Sequence, residues 1–156
     1  MYPEGHTGLS LLVLSLLMLT FGWLDFGSIA ACLIIVTLSS LPDIDLHLRP
    51  LVKHRGATHT LLFGIIFGAI FGFIFHYGGY NWFLGFVGGF GGTLLHILGD
   101  VFTYEPMTPL WPFSNRDISF GFFAAKNQVI NKGLATLGGF AFVVVVLKYS
   151  GFFGAM

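Results

Sequence analysis

Five long apolar stretches separated by short polar breaks dominate the chain: residues 9–23, 26–41, 60–75, 82–102 and 134–153, the last interrupted by Lys148. A helix crossing the hydrocarbon core of a bilayer needs roughly 20 apolar residues, with about 17 as a lower limit. The second and third stretches fall slightly short, which a locally thinned bilayer accommodates. The pattern therefore predicts an all-α, polytopic membrane bundle of about five transmembrane helices, with Pro42 ending the second. No internal repeat is evident, and residues 1–156 read as one integral-membrane domain.

Glycine adds a packing signal to this pattern. Gly64, Gly68 and Gly72 recur every four residues in the third stretch, and the pairs Gly85/Gly89 and Gly88/Gly92 do so in the fourth. Such spacing lines glycines along one helix face, where two backbones approach closely. The third and fourth helices are expected to pack tightly against each other. The same faces would also serve a homo-oligomer.

Composition narrows the class. Hydrophobic residues make up 55% of the 156 and charged residues 9%, against about 25% charged in a soluble domain, and the mean hydropathy is +0.84. Too little charge is present to coat a water-facing surface, which argues against a soluble helical core. The formal net charge is zero, so the clustered basic surface that phosphate-backbone binding requires is missing and no nucleic-acid partner is expected. The single cysteine, Cys32, reads as a small buried apolar residue. No Lys or Arg precedes Arg49, so the first stretch lacks the positive region of a signal peptide and is expected to be a retained helix.

Charge also orients the bundle. With five crossings the N-terminus, the loop 42–59 and the loop 103–133 share one side, which holds Arg49, Lys53, Arg55, Arg116, Lys126 and Lys132; only Lys148 lies near the other. Positive loops face the cytoplasm. The reading is a multi-pass protein of the cytoplasmic (inner) membrane with a cytoplasmic N-terminus.

The same crossing pattern gathers the candidate chemistry. His6, Asp43, Asp45, His47, His54, His59, His96 and Asp100 all fall on the basic side; only Asp25 and His76 fall on the other. His96 and Asp100 are four apart on a helix, which makes them neighbours. They suit either one bound cation or a hydrogen-bonded pair, and an acid at membrane depth usually has a partner and a purpose. Asp43 and Asp45 flank Ile44 directly after Pro42, and carboxylates this close repel unless a cation or proton lies between them. Solvated acids at a helix end are the plainer reading. His54 and His59 bracket Gly56, where the backbone allows close approach.

His6, Asp43, Asp45, His54, His59, His96 and Asp100 offer seven nitrogen or oxygen ligands. A single zinc takes four, so seven suit two or more ions. Imidazole and carboxylate without thiolate fit zinc, manganese or iron. Paired metals clamp a phosphoryl oxygen and generate a nucleophile at neutral pH. Arg55 and Arg116 are candidates to neutralise an anionic substrate, or plain cytoplasmic anchors; Arg55 and Asp45 are the candidates for direct catalytic roles.

The strings Leu41-Pro42-Asp43-Ile44-Asp45, His54-Arg55-Gly56-Ala57-Thr58-His59 and His96-Ile97-Leu98-Gly99-Asp100 resemble the YdjM-like family of LexA-regulated, membrane-bound metal-dependent hydrolases. Glu4-Gly5-His6, Thr103 and Leu110-Trp111-Pro112-Phe113 also match, and Asn127-Gln128 matches more weakly, so the resemblance covers roughly residues 4–132. It implies a membrane metallohydrolase related to zinc-dependent phospholipase C, with zinc as the first choice of metal. Asp43 or Asp45 would then join His59, His96 and Asp100 at a first metal. His6 would join a second bridged by Asp100, and His54 would serve either metal or the substrate. Leu46 stands where the family has a histidine, with His47 one position later, and an acidic residue expected near Ile130 is missing. The expected function is a phospholipase-like or lipid-phosphatase-like phosphoesterase whose substrate is a membrane lipid or lipid phosphate, with Trp111 and Phe113 at the interface. A metal transporter or sensor, which would spread ligands along the helices and on both sides, and a non-catalytic metal-binding protein are the alternatives.

Overall fold

The computed structural model describes residues 1–47 and 54–150. Arg49 and Lys53, two of the basic residues used to orient the bundle, lie outside the described residues. The described residues form five α-helices: α1 (Pro3–Phe21), α2 (Phe26–Leu38), α3 (Leu61–Tyr77), α4 (Trp82–Val101) and α5 (Gln128–Tyr149). Two 3-10 turns, Leu41–Leu46 and Ala57–His59, stand between α2 and α3.

Local chemistry sets the boundaries. Pro3 occupies the first turn of α1, where its missing N–H costs nothing. Gly22, left-handed at φ 68°, closes that helix by donating to the Met18 carbonyl. The side chains of Asp25, Thr60, Asn81 and Asn127 cap α2, α3, α4 and α5, each accepting from a backbone N–H of the first turn. The helices α1 and α5 begin six residues before the apolar stretches that announce them, because a polar first turn is allowed where it faces other protein rather than lipid.

Four segments are long and apolar enough to cross a membrane: Pro3–Phe21, Phe26–Leu46, Trp82–Val101 and Gln128–Tyr149. The shorter apolar helix α3 has 17 residues, at the lower limit for a span. At 1.5 Å per residue the 19 residues of α1 extend roughly 28 Å, close to the ~30 Å hydrocarbon core.

Packing is organised around α4. It lies between α3 and α2, while α1 packs chiefly on α5 and touches α4 and α2 more sparsely. Two glycine faces of α4 make this possible. A Cβ on Gly85 or Gly89 would meet the Phe71 or Phe67 carbonyl of α3 at 2.3 Å, and one on Gly92 would meet the Leu38 Cβ of α2 at 2.6 Å. The expected α3–α4 contact is present, and the second face, Gly88 and Gly92, receives α2. On the other flank Gly138 of α5 sits against the backbone of Gly8.

The segment between α4 and α5 folds back over the end of α4. It carries two isolated bridges, Thr103 with Phe123 and Met107 with Ile118. Met107, 1% exposed, packs with Ile97, Val101, Leu61 and Ile118. Leu61 N–H donates to the Pro109 carbonyl at 2.8 Å, tying this segment to the start of α3.

Candidate metal centre

The start of α1, the end of the α2 span, the turn before α3, the end of α4 and the start of α5 meet at one end of the bundle. Its polar side chains are buried: His6, Asp45, His59, His96, Asp100, Thr103 and Asn131 are all at most 1% exposed, and Asp43 is 8% exposed. Buried charges persist only when paired or bound to a cation.

Four groups converge: Asp43, His59, His96 and Asp100. His59 Nε2 and His96 Nε2 face each other at 3.0 Å. Asp43 Oδ1 lies 3.5 Å from the first and 3.7 Å from the second; Asp100 Oδ2 lies 3.7 and 3.6 Å away.

The outer hydrogen bonds decide what these nitrogens carry. His96 Nδ1 is 2.7 Å from the Ser39 carbonyl, which only accepts, so Nδ1 holds the proton and Nε2 is a bare lone pair. Thr58 Oγ1 donates to Asp45 Oδ2 at 3.0 Å, so it accepts from His59 Nδ1, also at 3.0 Å. His59 Nε2 is therefore a lone pair as well. Burial, opposed chiefly by Asp43, holds the His59 imidazole below the usual histidine range and so neutral. Two imidazole nitrogens and two carboxylate oxygens then point at one spot, with the Arg55 guanidinium beside Asp100 Oδ2. That donor set fits a divalent cation.

The carboxylates reach in a second direction too. Asp100 Oδ1 is 3.4 Å and Asp43 Oδ2 4.0 Å from His6 Nε2. The His6 ring stacks on His96 at 3.8 Å between centroids. The Met1 amine, a cation, lies between these groups, 3.0 Å from His6 Nε2 and in contact with Asp100 Oδ1. Each carboxylate thus gives one oxygen to the four-donor cluster and the other to the His6 side, an arrangement suited to bridging two ions.

Asp45 stands behind His59. It accepts from Arg55 N–H and Thr58 Oγ1 at 3.0 Å, faces His54 Nδ1 at 2.8 Å and His59 Nδ1 at 3.3 Å. Asp45, His54 and His59 form a second converging trio, but Asp45 is already bonded to Arg55 N–H, Thr58 Oγ1 and His54 Nδ1, which casts it as the group that orients His59 through Thr58. His54 is 20% exposed and lies with Asp45 outside the four-donor cluster. His47 is exposed and joins neither group, so it does not replace the histidine missing at Leu46.

Arg55 is 7% exposed and has φ 60°, the left-handed region. Its guanidinium reaches Asp100 Oδ2 at 3.0 Å and Thr103 Oγ1 at 3.1 Å, and contacts the Glu105 carbonyl. A cavity of about 340 Å³ with a mixed lining opens in front of it, bordered in part by Asp43, His54, Asp100, Glu105 and Lys126. Arg116 is exposed and is not part of this lining. Ile130 offers no ligand, but its neighbour Asn131 is fully buried and binds Tyr2 N–H at 2.9 Å and the Ala125 and Asn127 carbonyls. Asn131 and Ser39 carry no ligand signal in the sequence: one stands in a short polar segment beside Lys132, and the other acts through its backbone carbonyl.

A family model described as YdjM inner membrane protein matches residues 1–155. The chain belongs to that family. Membrane location follows from the family and from the apolar helices together. No curated protein and no solved structure matches the chain. Within this YdjM-family protein the three motifs read from the sequence supply the four-donor cluster and the residues directly behind it, while Glu4-Gly5-His6 supplies the adjoining imidazole.

Proposed function

We propose that the protein is a membrane-bound, metal-dependent hydrolase that cleaves a phosphate ester of a lipid at the cytoplasmic membrane face. The observation that carries this reading is the convergence of His59 Nε2, His96 Nε2, Asp43 Oδ1 and Asp100 Oδ2 on one buried spot. Asp43, His59, His96 and Asp100 would hold one ion, zinc first and manganese or iron as alternatives. His6 would hold a second with the remaining oxygens of the two carboxylates. Ions there supply a Lewis acid and lower the pKa of a coordinated water.

The chain's own residues supply the rest. Arg55 lines the charged cavity and is held by Asp100 and Thr103, so its fork is pre-aligned for a phosphoryl group. Lys126, in the same cavity, adds positive charge where an anion would enter. Asp45, accepting from Thr58 Oγ1, turns that hydroxyl to accept from His59 Nδ1 and so leaves Nε2 facing inward. His54, partly exposed and held by Asp45, is placed to carry a proton to or from the leaving group. The clustering of all these groups at one end of the bundle supports hydrolysis over ion transport, which needs sites along the path.

Purified protein loaded with zinc or manganese should release product from lipid phosphates or phosphodiesters and lose turnover on chelation and in Asp100→Asn. Turnover that is absent, or indifferent to both metal and Asp100, overturns the reading.

A further inference from the structure

Two cavities meet at Asp43. The one described above has a mixed lining and holds Arg55, His54 and Lys126. The other, about 390 Å³, is almost wholly apolar, lined by Pro3, Leu38, Leu41, Ile44 and Leu46 beside Asp43. Thr37 of α2 also lines this apolar cavity. Next along the same face of α2, Val36 and Leu33 line a second apolar cavity of about 320 Å³, closed on the α1 side by Leu11, Leu14 and Ser15. A third, also about 320 Å³, shares Leu14 and Cys32 with the second. The first cavity opens beside Asp43, and the other two lie farther along the same pair of helices, bordered also by Phe142 of α5 and by Phe83, Leu84 and Val87 of α4.

The cause of this seam between α1 and α2 is the packing. Small-residue contacts draw α1 onto α5 at Gly8 and Gly138, and α2 onto α4 at Gly88 and Gly92. Pulled towards different partners, α1 and α2 meet only sparsely. Ser15, 1% exposed at this seam, has a hydroxyl that finds no partner among the described residues.

We propose that the α1–α2 seam holds one hydrocarbon chain of a lipid phosphate, with its headgroup at Asp43 and Arg55 and its water-soluble portion in the charged cavity. This rests on the phosphoesterase reading and names its substrate class: an amphiphile that enters sideways from the bilayer. The apolar cavity that shares Asp43 and Leu46 with the charged one selects a lipid over a free phosphate ester. An amphiphile is the one class of ligand whose two halves match the two cavities.

Cys32→Trp and Val36→Trp fill the seam at positions that line no cavity with Asp43 or Arg55, and Ile70→Trp on the outer face of α3 is the control. Each metal-loaded protein is given dioleoyl phosphatidic acid and dioleoyl phosphatidylglycerol in micelles, with p-nitrophenyl phosphate and bis(p-nitrophenyl) phosphate as chain-free counterparts. The seam variants should lose at least ~10-fold on the lipid turned over, which two unburied methylene groups already give. Turnover of the chain-free ester should stay unchanged, and Ile70→Trp should match the parent. Equal losses on both substrates, or no loss on either, overturn the seam. Absence of all turnover in the parent overturns the phosphoesterase reading instead.

Binding gives a readout independent of turnover. Phosphatidic acid carrying a diazirine on its acyl chain, photolysed with the protein in phosphatidylcholine nanodiscs, should label residues 11–18 and 29–37. Excess phosphatidic acid and Cys32→Trp should suppress that label. Label spread over the outer face of α3 around Ile70 and Phe73, or label indifferent to competitor, overturns the proposal.

Discussion

Asp43 and Asp45 sit two positions apart on one 3-10 turn, yet their surroundings give them different work. Asp43 turns one oxygen to His59 and His96 and the other towards His6. Asp45 is bonded to Arg55 N–H, Thr58 Oγ1 and His54 Nδ1, on the far side of His59 from the cluster. Removing a direct ligand should cost more metal than removing an orienting group, whose loss typically lowers affinity about 10–100-fold. Asp43→Asn, His96→Ala and Asp100→Asn should therefore purify with little metal, while Asp45→Asn should retain metal but release it to a weaker chelator. Elemental analysis and competitive titration against chelators of graded affinity check this. Equal retention by Asp45→Asn and the parent would show that Asp45 does not hold His59 in place. The ligand residues themselves are legible in the sequence, because His and Asp are costly at membrane depth and stand out against apolar runs. Their division into two layers is not, since a 3-10 turn and an α-turn send residues two apart in different directions and periodicity does not distinguish them. The carbonyl of Ser39, which sets the His96 tautomer, carries no side-chain signal at all.

Glycine is the main architectural residue at the scale of helices. Gly89 lies where a Cβ would meet the Phe67 carbonyl at 2.3 Å, and Gly138 where one would meet the Gly8 carbonyl at 2.1 Å. A methyl group against backbone forces whole helices apart, and overpacking of this kind typically costs about 1–3 kcal/mol. Gly89→Ala and Gly138→Ala should lower the thermal midpoint in detergent. Gly133→Ala and Gly139→Ala, which meet nothing within 4 Å, should leave it unchanged or raise it through the better helix propensity of alanine, up to about 1 kcal/mol per site. Similar losses at all four positions would remove the close-contact account. The every-four spacing made the α3–α4 pairing readable in advance, because both partners carry the pattern. It did not reveal that Gly88 and Gly92 serve α2, whose matching face is built from Ala31, Ile35 and Leu38 and bears no glycine repeat. Nor did hydropathy mark the first turns of α1 and α5, where Glu4, His6 and Asn131 are polar and the helix is sustained by caps and protein contacts. The glycine faces that the sequence offered equally to a second copy are filled within the chain.

The molecule as a whole has one chemically loaded end, and which way that end faces decides which pool of substrate it meets. The ends of α1, α2, α4 and α5 that carry His6, Asp43, Asp100 and Asn131 all lie there, as do Arg55, Arg116, Lys126 and Lys132. Basic loops stay in the cytoplasm because translocating them is disfavoured, so the opposite end, with Tyr77 at the close of α3, should face outward. A Cys32→Ala background carrying either Tyr77→Cys or Asn115→Cys tests this directly, since Tyr77 is 86% exposed and Asn115 is exposed in the segment that follows α4. A membrane-impermeant maleimide added to intact cells should label Tyr77→Cys at once and Asn115→Cys only after the membrane is opened. The reverse order would place the metal centre outside the cell and end the cytoplasmic assignment while leaving the centre itself untouched. Metal occupancy adds an independent check on the same end. The four-donor cluster draws on the turn after α2, the turn before α3 and the last turns of α4, so an ion there would tie three segments together, and a second ion at His6 would add the first turn of α1. A ligand that binds only the folded state stabilises by about 4 kcal/mol at a thousandfold excess over its dissociation constant. Chelation should accordingly lower the thermal midpoint of the parent and speed hydrogen exchange in residues 1–7 and 54–60, with residues 70–85 at the far end unchanged. Uniform acceleration along the chain would mean that the metal stabilises the fold globally and not through this junction.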